Sequence, residues 1–204
     1  MLFNFLNKIF FITCFIFLFT PTIICQLLSE TQIDTCKIYT SLDEALLTPN
    51  KVRVLDLSRQ KLHIFPKEII KLKNLQSLKL IKNKLDSIPA NISSLKYLQY
   101  LNLSKNKLES FPAGVAELSN LKSLIINQNY IKSIPFYIKN LHSLEYLDMW
   151  SNDLSEVSEN IKYLTNLKEL DLRVIMLSNK EKDRIQRLLP NTKVFFSNSC
   201  NCGY

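Results

Sequence analysis

The residues able to do chemistry in this 204-residue chain are few: two histidines, five cysteines and one tryptophan stand out. Acid–base or nucleophilic catalysis needs a base within reach of a hydroxyl or thiol and a third group to orient it. His63 and His142 stand far apart in polar settings, and no serine or cysteine is spaced to pair with either. The acidic residues show neither a carboxylate-pair spacing nor a metal-ligand spacing. Two glycines in the whole chain exclude a glycine-rich phosphate loop. The expectation is no enzyme, no metal and no cofactor. What remains is recognition chemistry. Tyr146, Asp148 and Trp150 alternate along one segment, the aromatic and charged mixture found at binding hot spots.

That segment belongs to a pattern repeated six times. Its clearest copy holds Leu98, Leu101, Leu103, Asn106, Leu108, Phe111 and Pro112. One step of 23 residues back, the same places hold Leu75, Leu78, Leu80, Asn83, Leu85, Ile88 and Pro89; one step forward they hold Leu121, Leu124, Ile126, Asn129, Ile131, Ile134 and Pro135. Further copies run through Leu147, Met149 and Asn152 and through Leu170 and Leu172, and the first through Leu55, Leu57 and Gln60. Constant-period self-similarity of this kind marks a solenoid, in which no copy buries its apolar face alone.

Within each copy the Leu-x-Leu alternation predicts a short strand, about Tyr100 to Leu103 in the third, lying parallel to its neighbours. Asn83, Asn106, Asn129 and Asn152 form a ladder of turn residues whose amides can take up orphaned backbone groups; Gln60 and Ile175 replace them at the ends. Pro66, Pro89, Pro112 and Pro135 then bar regular strand pairing, with Ser158 in the fifth copy. Ile69, Ile92, Val115, Ile138 and Ile161, each followed three residues on by leucine, predict short helical segments on the convex side. The fold class is therefore α/β: a solenoid with a concave parallel sheet, short convex helices and helical caps at both ends.

Residues between the strand leucines face outward in three columns. The first reads Val54, Ser77, Tyr100, Ser123, Tyr146, Glu169; the second Asp56, Lys79, Asn102, Ile125, Asp148, Asp171; the third Ser58, Ile81, Ser104, Asn127, Trp150, Arg173. The candidate protein-binding face is Tyr100, Ile125, Tyr146, Asp148, Trp150, Asp171 and Arg173, with Trp150 in solvent on the same strand as Tyr146 and Asp148. Cross-strand aromatic pairs that merely cover a sheet are the competing structural account. His63 and His142 fall at solvent-facing places of the pattern.

Outside the six copies, at 52–189, the register is lost. Residues 1–25 carry one charge, Lys8, before an apolar run from Ile9 to Phe19, which predicts a signal peptide removed at Cys25-Gln26. A membrane anchor and a lipidated Cys25 are the alternatives, and the membrane enters in no other way. Residues 26–51 form an N-terminal cap, with Ser41 and Glu44 as a capping box opening a helix over Leu42 to Leu47. Ser178 and Glu181 open another helix, ended by Pro190; 190–204 supply a last strand at Val194 to Phe196 and a polar tail with Cys200 and Cys202. A bridge between Cys36 and that tail is not expected. The solenoid separates them, bridged Cα atoms need to lie within about 7 Å, and a four-residue tail reaches about 13 Å. The net charge of +8, or +7 without Lys8, is interleaved with acidic residues and comes with no arginine–aromatic cluster, so no nucleic-acid partner is expected.

These motifs resemble the leucine-rich repeat family, in its 23-residue form with I-P-x-x-I-x-x-L between strands. The cap from Tyr39 to Ala45 leading into Val52 to Leu57, and the end from Leu189 to Phe196, look like those of secreted bacterial members. The resemblance covers about residues 39–196. It implies a horseshoe that binds other proteins, as scaffolds and regulators of small GTPases do among eukaryotic relatives, and it implies no particular ligand. The expected role is an exported, monomeric protein-binding module, secreted or in the cell envelope. A structural or tethered assembly protein, or an intracellular scaffold if the leader is retained, is the alternative.

Overall fold

The computed structural model of the chain describes residues 26–197. The leader, Cys25 and the Cys200–Cys202 tail, with the expectations attached to them, lie outside the described residues. In chain order come α1 (Glu30–Asp34), β1 (Ile38–Tyr39), α2 (Leu42–Leu47), β2 (Val54–Asp56), β3 (Ser77–Lys79), β4 (Tyr100–Asn102), α3 (Ala113–Ala116), β5 (Ser123–Ile125), β6 (Ser133–Ile134), β7 (Tyr146–Asp148), β8 (Glu156–Val157), β9 (Glu169–Leu172), α4 (Asn179–Leu188) and β10 (Lys193–Phe196). Eight strands form one parallel sheet in the order β1-β2-β3-β4-β5-β7-β9-β10. Its register follows the repeat: Leu55 pairs with Leu78, Leu78 with Leu101, Leu101 with Leu124, Leu124 with Leu147 and Leu147 with Leu170.

The leucine column is fully buried, and so is the opposite wall of Ile69, Ile92, Val115, Ile138 and Ile161. Four of the five convex segments are single 3₁₀ turns, at Lys67–Lys71, Ala90–Ser94, Phe136–Asn140 and Glu159–Tyr163, and the fifth is α3. A spacing of three suits the 3₁₀ turn, in which residues i and i+3 eclipse, so Ile69 and Leu72 meet the core together. Each proline caps its turn from an extended conformation, and Ser158 does so with its hydroxyl, which accepts the Asn160 N–H. The prolines do not bar all pairing there: β6 and β8 form a two-stranded ladder just before Pro135 and Ser158. It continues one bond further because Ser158, unlike proline, has an N–H to give to the Ile134 carbonyl. Gly114 sits where a Cβ would lie 2.6 Å from the Ala90 carbonyl oxygen, so two convex turns approach more closely than a side chain allows.

The asparagine ladder couples one copy to the previous one. Asn106 donates through Nδ2 to the carbonyls of Leu103 in its own copy and Leu80 in the preceding one, both at 2.9 Å, and accepts the Leu85 N–H through Oδ1 at 3.1 Å. Asn83, Asn129 and Asn152 repeat this arrangement. The residue immediately before each asparagine turns through positive φ, and the equivalent place before Ile175 holds Val174 at φ 56, a conformation costly for a β-branched side chain.

Both expected cap helices are present. Ser41 accepts the Glu44 N–H at the start of α2, but Glu44 sends its carboxylate to Lys37 Nζ at 2.7 Å, so only half of the capping box forms there. Ser178 caps α4 through the Glu181 N–H. The sequence pattern gave no sign of α1, which carries the complete capping box, with Ser29 and Gln32 bonded in both directions, or of β1 beside β2. Among the described residues, no helix is long and apolar enough to cross a membrane.

Replacing Asn106 by alanine strands the Leu85 N–H and the Leu80 and Leu103 carbonyls in a buried site, at a cost of about 3–5 kcal/mol, or a fall of roughly 10 °C in Tm. Thermal unfolding followed by circular dichroism checks this.

Candidate binding face

Strand pairing sets the facing columns side by side. Tyr100 lies opposite Ser77 and Ser123, Ile125 opposite Asn102 and Asp148, and Asp148 opposite Asp171. The end strand β10 extends these columns beyond the sixth copy. Lys193 continues the first next to Glu169, and Phe195 continues the second next to Asp171. The repeat count missed both because β10 is offset from β9 by 24 residues instead of 23. The alternation in Lys193-Val-Phe-Phe, with Val194 and Phe196 packed on the core, was the available signal.

The face divides into two parts. In its later half, Tyr146, Asp148, Trp150, Asp171 and Arg173 come together around Asn127 and Phe195. Arg173 grips Asp171 with Nε at 3.0 Å from both carboxylate oxygens and Nη2 at 2.6 Å from Oδ2. Its guanidinium also lies 5.7 Å from the centre of the Phe195 ring, with Lys193 Nζ at 4.6 Å, distances at which a ring face attracts a cation. Tyr146 and Trp150 are half-buried, and Arg173 is exposed.

Two expectations are corrected here. Trp150 is not on the strand, which ends at Asp148, and it is partly covered instead of lying free in solvent. Asp148 and Asp171 are buried. Each accepts the N–H of the residue two positions on, Trp150 and Arg173, at 3.0 Å. Asp56 and Asn102 do the same for Ser58 and Ser104. These second-column side chains therefore cap the orphaned backbone as each strand turns out of the sheet.

Burial pushes the Asp148 carboxyl above its usual range, and the facing Asp171 adds to the shift; the Trp150 N–H and the Asn127 amide, which donates to Oδ2, oppose it. Burial likewise raises the Tyr146 hydroxyl, with Asp148 next in weight. Asp171 holds the Arg173 guanidinium more firmly charged.

In the earlier half, Tyr100 and Ile125 line a cavity of about 210 Å³ between the sheet and α1, with Glu30, Ile33 and Asp34 on its outer wall. Burial raises the Tyr100 hydroxyl, and the Glu30 charge adds to this. Val54 and Ser77, which face outward from the sheet, are buried there. The seven candidate residues are thus split, two under α1 and five in the open later half. His63 and His142 are exposed, and among the described residues no three histidine, cysteine or acidic side chains gather as a metal site would require.

A one-sided parallel sheet backed by a short turn every 23 residues defines a solenoid repeat protein. A family model described as a leucine-rich repeat region matches residues 35–193, and the chain belongs to the leucine-rich repeat family. Similar solved structures are bacterial. A leucine-rich repeat protein of Leptospira interrogans is 32% identical, with 79% of this chain and 46% of that one covered and a TM-score of 0.61. Internalin C2 of Listeria monocytogenes is 24% identical over 78% of this chain and 66% of its own, with a TM-score of 0.62. A second Listeria internalin, inlF, is 23% identical over 78% and 52%, with a TM-score of 0.56. The chain spans about half the length of the Leptospira protein. No curated protein matches it.

Because the folded-state pKa of Asp148 is raised, its protonated form is favoured in the native state, and that stabilisation is present at low pH and lost as pH rises through the raised value. Asp148→Asn removes the buried charge and keeps the cap, as Asn102 does in the third copy. The variant is expected to melt higher than the parent at pH 7. Its advantage should shrink as pH falls towards the ordinary aspartate value of 3.8, as read from melting curves between pH 3.5 and 7.

Proposed function

We propose that this chain is an exported protein-binding module that holds its partner on the later half of the concave face and carries out no catalysis. Protein interaction is the role that its family and internalin-like fold suggest. The observation that carries the finer reading is the open cluster of Tyr146, Trp150, Arg173 and Phe195: aromatic rings and a guanidinium at a surface, with the Trp150 backbone held by Asp148 and the Arg173 guanidinium by Asp171. A guanidinium fixed in this way loses little freedom when a partner binds, and tyrosine, tryptophan and arginine are the residue types that act as hot spots. The net charge of +8 does not set the partner's sign here, because Asp171 already engages Arg173. Export rests on the leader composition alone: one charge, an apolar run and a break at Thr20-Pro21-Thr22.

Partners captured by cross-linking from the cell surface or medium test the face. Tyr146→Ala and Trp150→Ala should each weaken capture by about 2 kcal/mol, some 30-fold in Kd, while leaving the fold intact. Unchanged capture by both variants would remove the face from consideration. The intact mass of the native protein tests export. A chain beginning at Gln26 outside the cytoplasm is expected, an added lipid on Cys25 would move the protein to a membrane surface, and a full-length chain in the cytosol would overturn export.

A further inference from the structure

The wall of the cavity on the sheet face is built by residues 26–36, a strap that precedes the repeats. Residues 26–28 are irregular, and Ser29 then caps α1, whose Ile33 is buried. Two fully buried glutamines at the entry to β3 and β4 hold the first part of this strap by its backbone alone. Gln76 accepts the Leu28 N–H through Oε1 and donates from Nε2 to the Gln26 carbonyl, each at 2.9 Å. Gln99 donates from Nε2 to the Leu28 carbonyl and to Gln76 Oε1, again at 2.9 Å. Donor and acceptor face acceptor and donor, as in a strand ladder, with side-chain amides in place of a second backbone.

The clamp is particular to these two copies. At the same place the others carry Arg53, Lys122, Glu145 and Lys168. A buried glutamine is costly unless its amide is paired, and apart from the bond between the two amides every partner here is a main-chain group of the strap. The strap does not saturate them: Gln99 Oε1 is buried and has no hydrogen-bond partner among the described residues. An unmatched buried acceptor weakens the resident contact and would be satisfied by a segment offering one more donor.

We propose that the sheet face of the second and third copies is a peptide-binding site, in which Gln76 and Gln99 read the main chain of a partner's non-helical segment, and that residues 26–36 occupy it in cis until such a segment displaces them. The site is separate from the Tyr146–Trp150 cluster and does not rest on it. Its selectivity lies in backbone direction where the segment crosses the glutamines, and in an apolar side chain on the helical turn that follows, at the place of Ile33, not in charge. Because only Thr35, Cys36 and Lys37 separate α1 from β1, the strap meets its site at a high effective concentration, and a free peptide competes poorly while the strap is seated.

The test uses the full chain and a synthetic peptide of residues 26–37 as probe. Ile33→Asp removes the strap's apolar anchor and leaves both glutamines in place, and Leu28→Pro removes the N–H that Gln76 accepts; each gives an independent route to a released strap. In the parent, hydrogen exchange should find the Leu28 amide protected. In Ile33→Asp that protection should be lost while β3 and β4 keep theirs; Leu28→Pro, which has no amide at that position, is read by probe binding, and to either variant the probe should bind at least about tenfold more tightly than to the parent. Adding Gln76→Leu and Gln99→Leu should abolish that binding. The proposal is overturned if the Leu28 amide is unprotected in the parent, if released variants bind the probe no better than the parent, or if binding survives loss of both amides. None of these outcomes touches the capture results for Tyr146 and Trp150.

Discussion

The amide of the recurring asparagine is the interaction on which the rest of the structure depends. A strand of three residues must turn away from the sheet at once, which leaves carbonyls of its own copy and the preceding one without partners inside a dry core. One primary amide, carrying two donors and an acceptor, satisfies both sides of that step, and no apolar or hydroxyl side chain can. Leucine packing supplies most of the driving force, since each copy leaves its apolar face open until the next covers it. The asparagine fixes the register of that covering. Leucines alone would tolerate sliding between copies, whereas a buried amide out of register leaves several groups unpaired.

The same constraint explains why the sheet face is rigid enough to serve as a surface. Asp56, Asn102, Asp148 and Asp171 cap their own turns, so the backbone beneath Tyr146, Trp150 and Arg173 is held from both sides. Asp148 and Asp171 act less as contacts than as supports that place contacts. Charge here is local and internal, with Arg173 engaged by Asp171. A partner would meet a guanidinium already oriented, with little side-chain entropy left to lose, and rings carried on a backbone that is held in place.

The two halves of the face follow different logic. The later half projects side chains, whereas the earlier half, with Gln76 and Gln99 buried and Val54 and Ser77 covered by α1, addresses a backbone. A repeat protein can do both because its framework positions are spoken for and its facing positions are free to differ from copy to copy.

The period of 23, the leucine, isoleucine and asparagine positions and the three facing columns were all legible in the sequence, because each is a local rule said again in every copy. The end of β7 before Trp150, the burial of Asp148 and Asp171, and the 24-residue offset that brings Lys193 and Phe195 onto the face were not. They depend on where a strand leaves the sheet and on what lies across from it. Gln76 and Gln99 occupy a place whose residue varies from copy to copy, and Gln26 to Leu28, which they bond, lie in a stretch outside the register. Nothing in either segment names the other, since they lie some 50 residues or more apart in the chain. By itself the sequence determined the repeating scaffold, through the periodicity of side chains that must be hidden from water. Only the tertiary structure decided which facing residues stay open and which are covered, because that depends on contacts between segments that share no period.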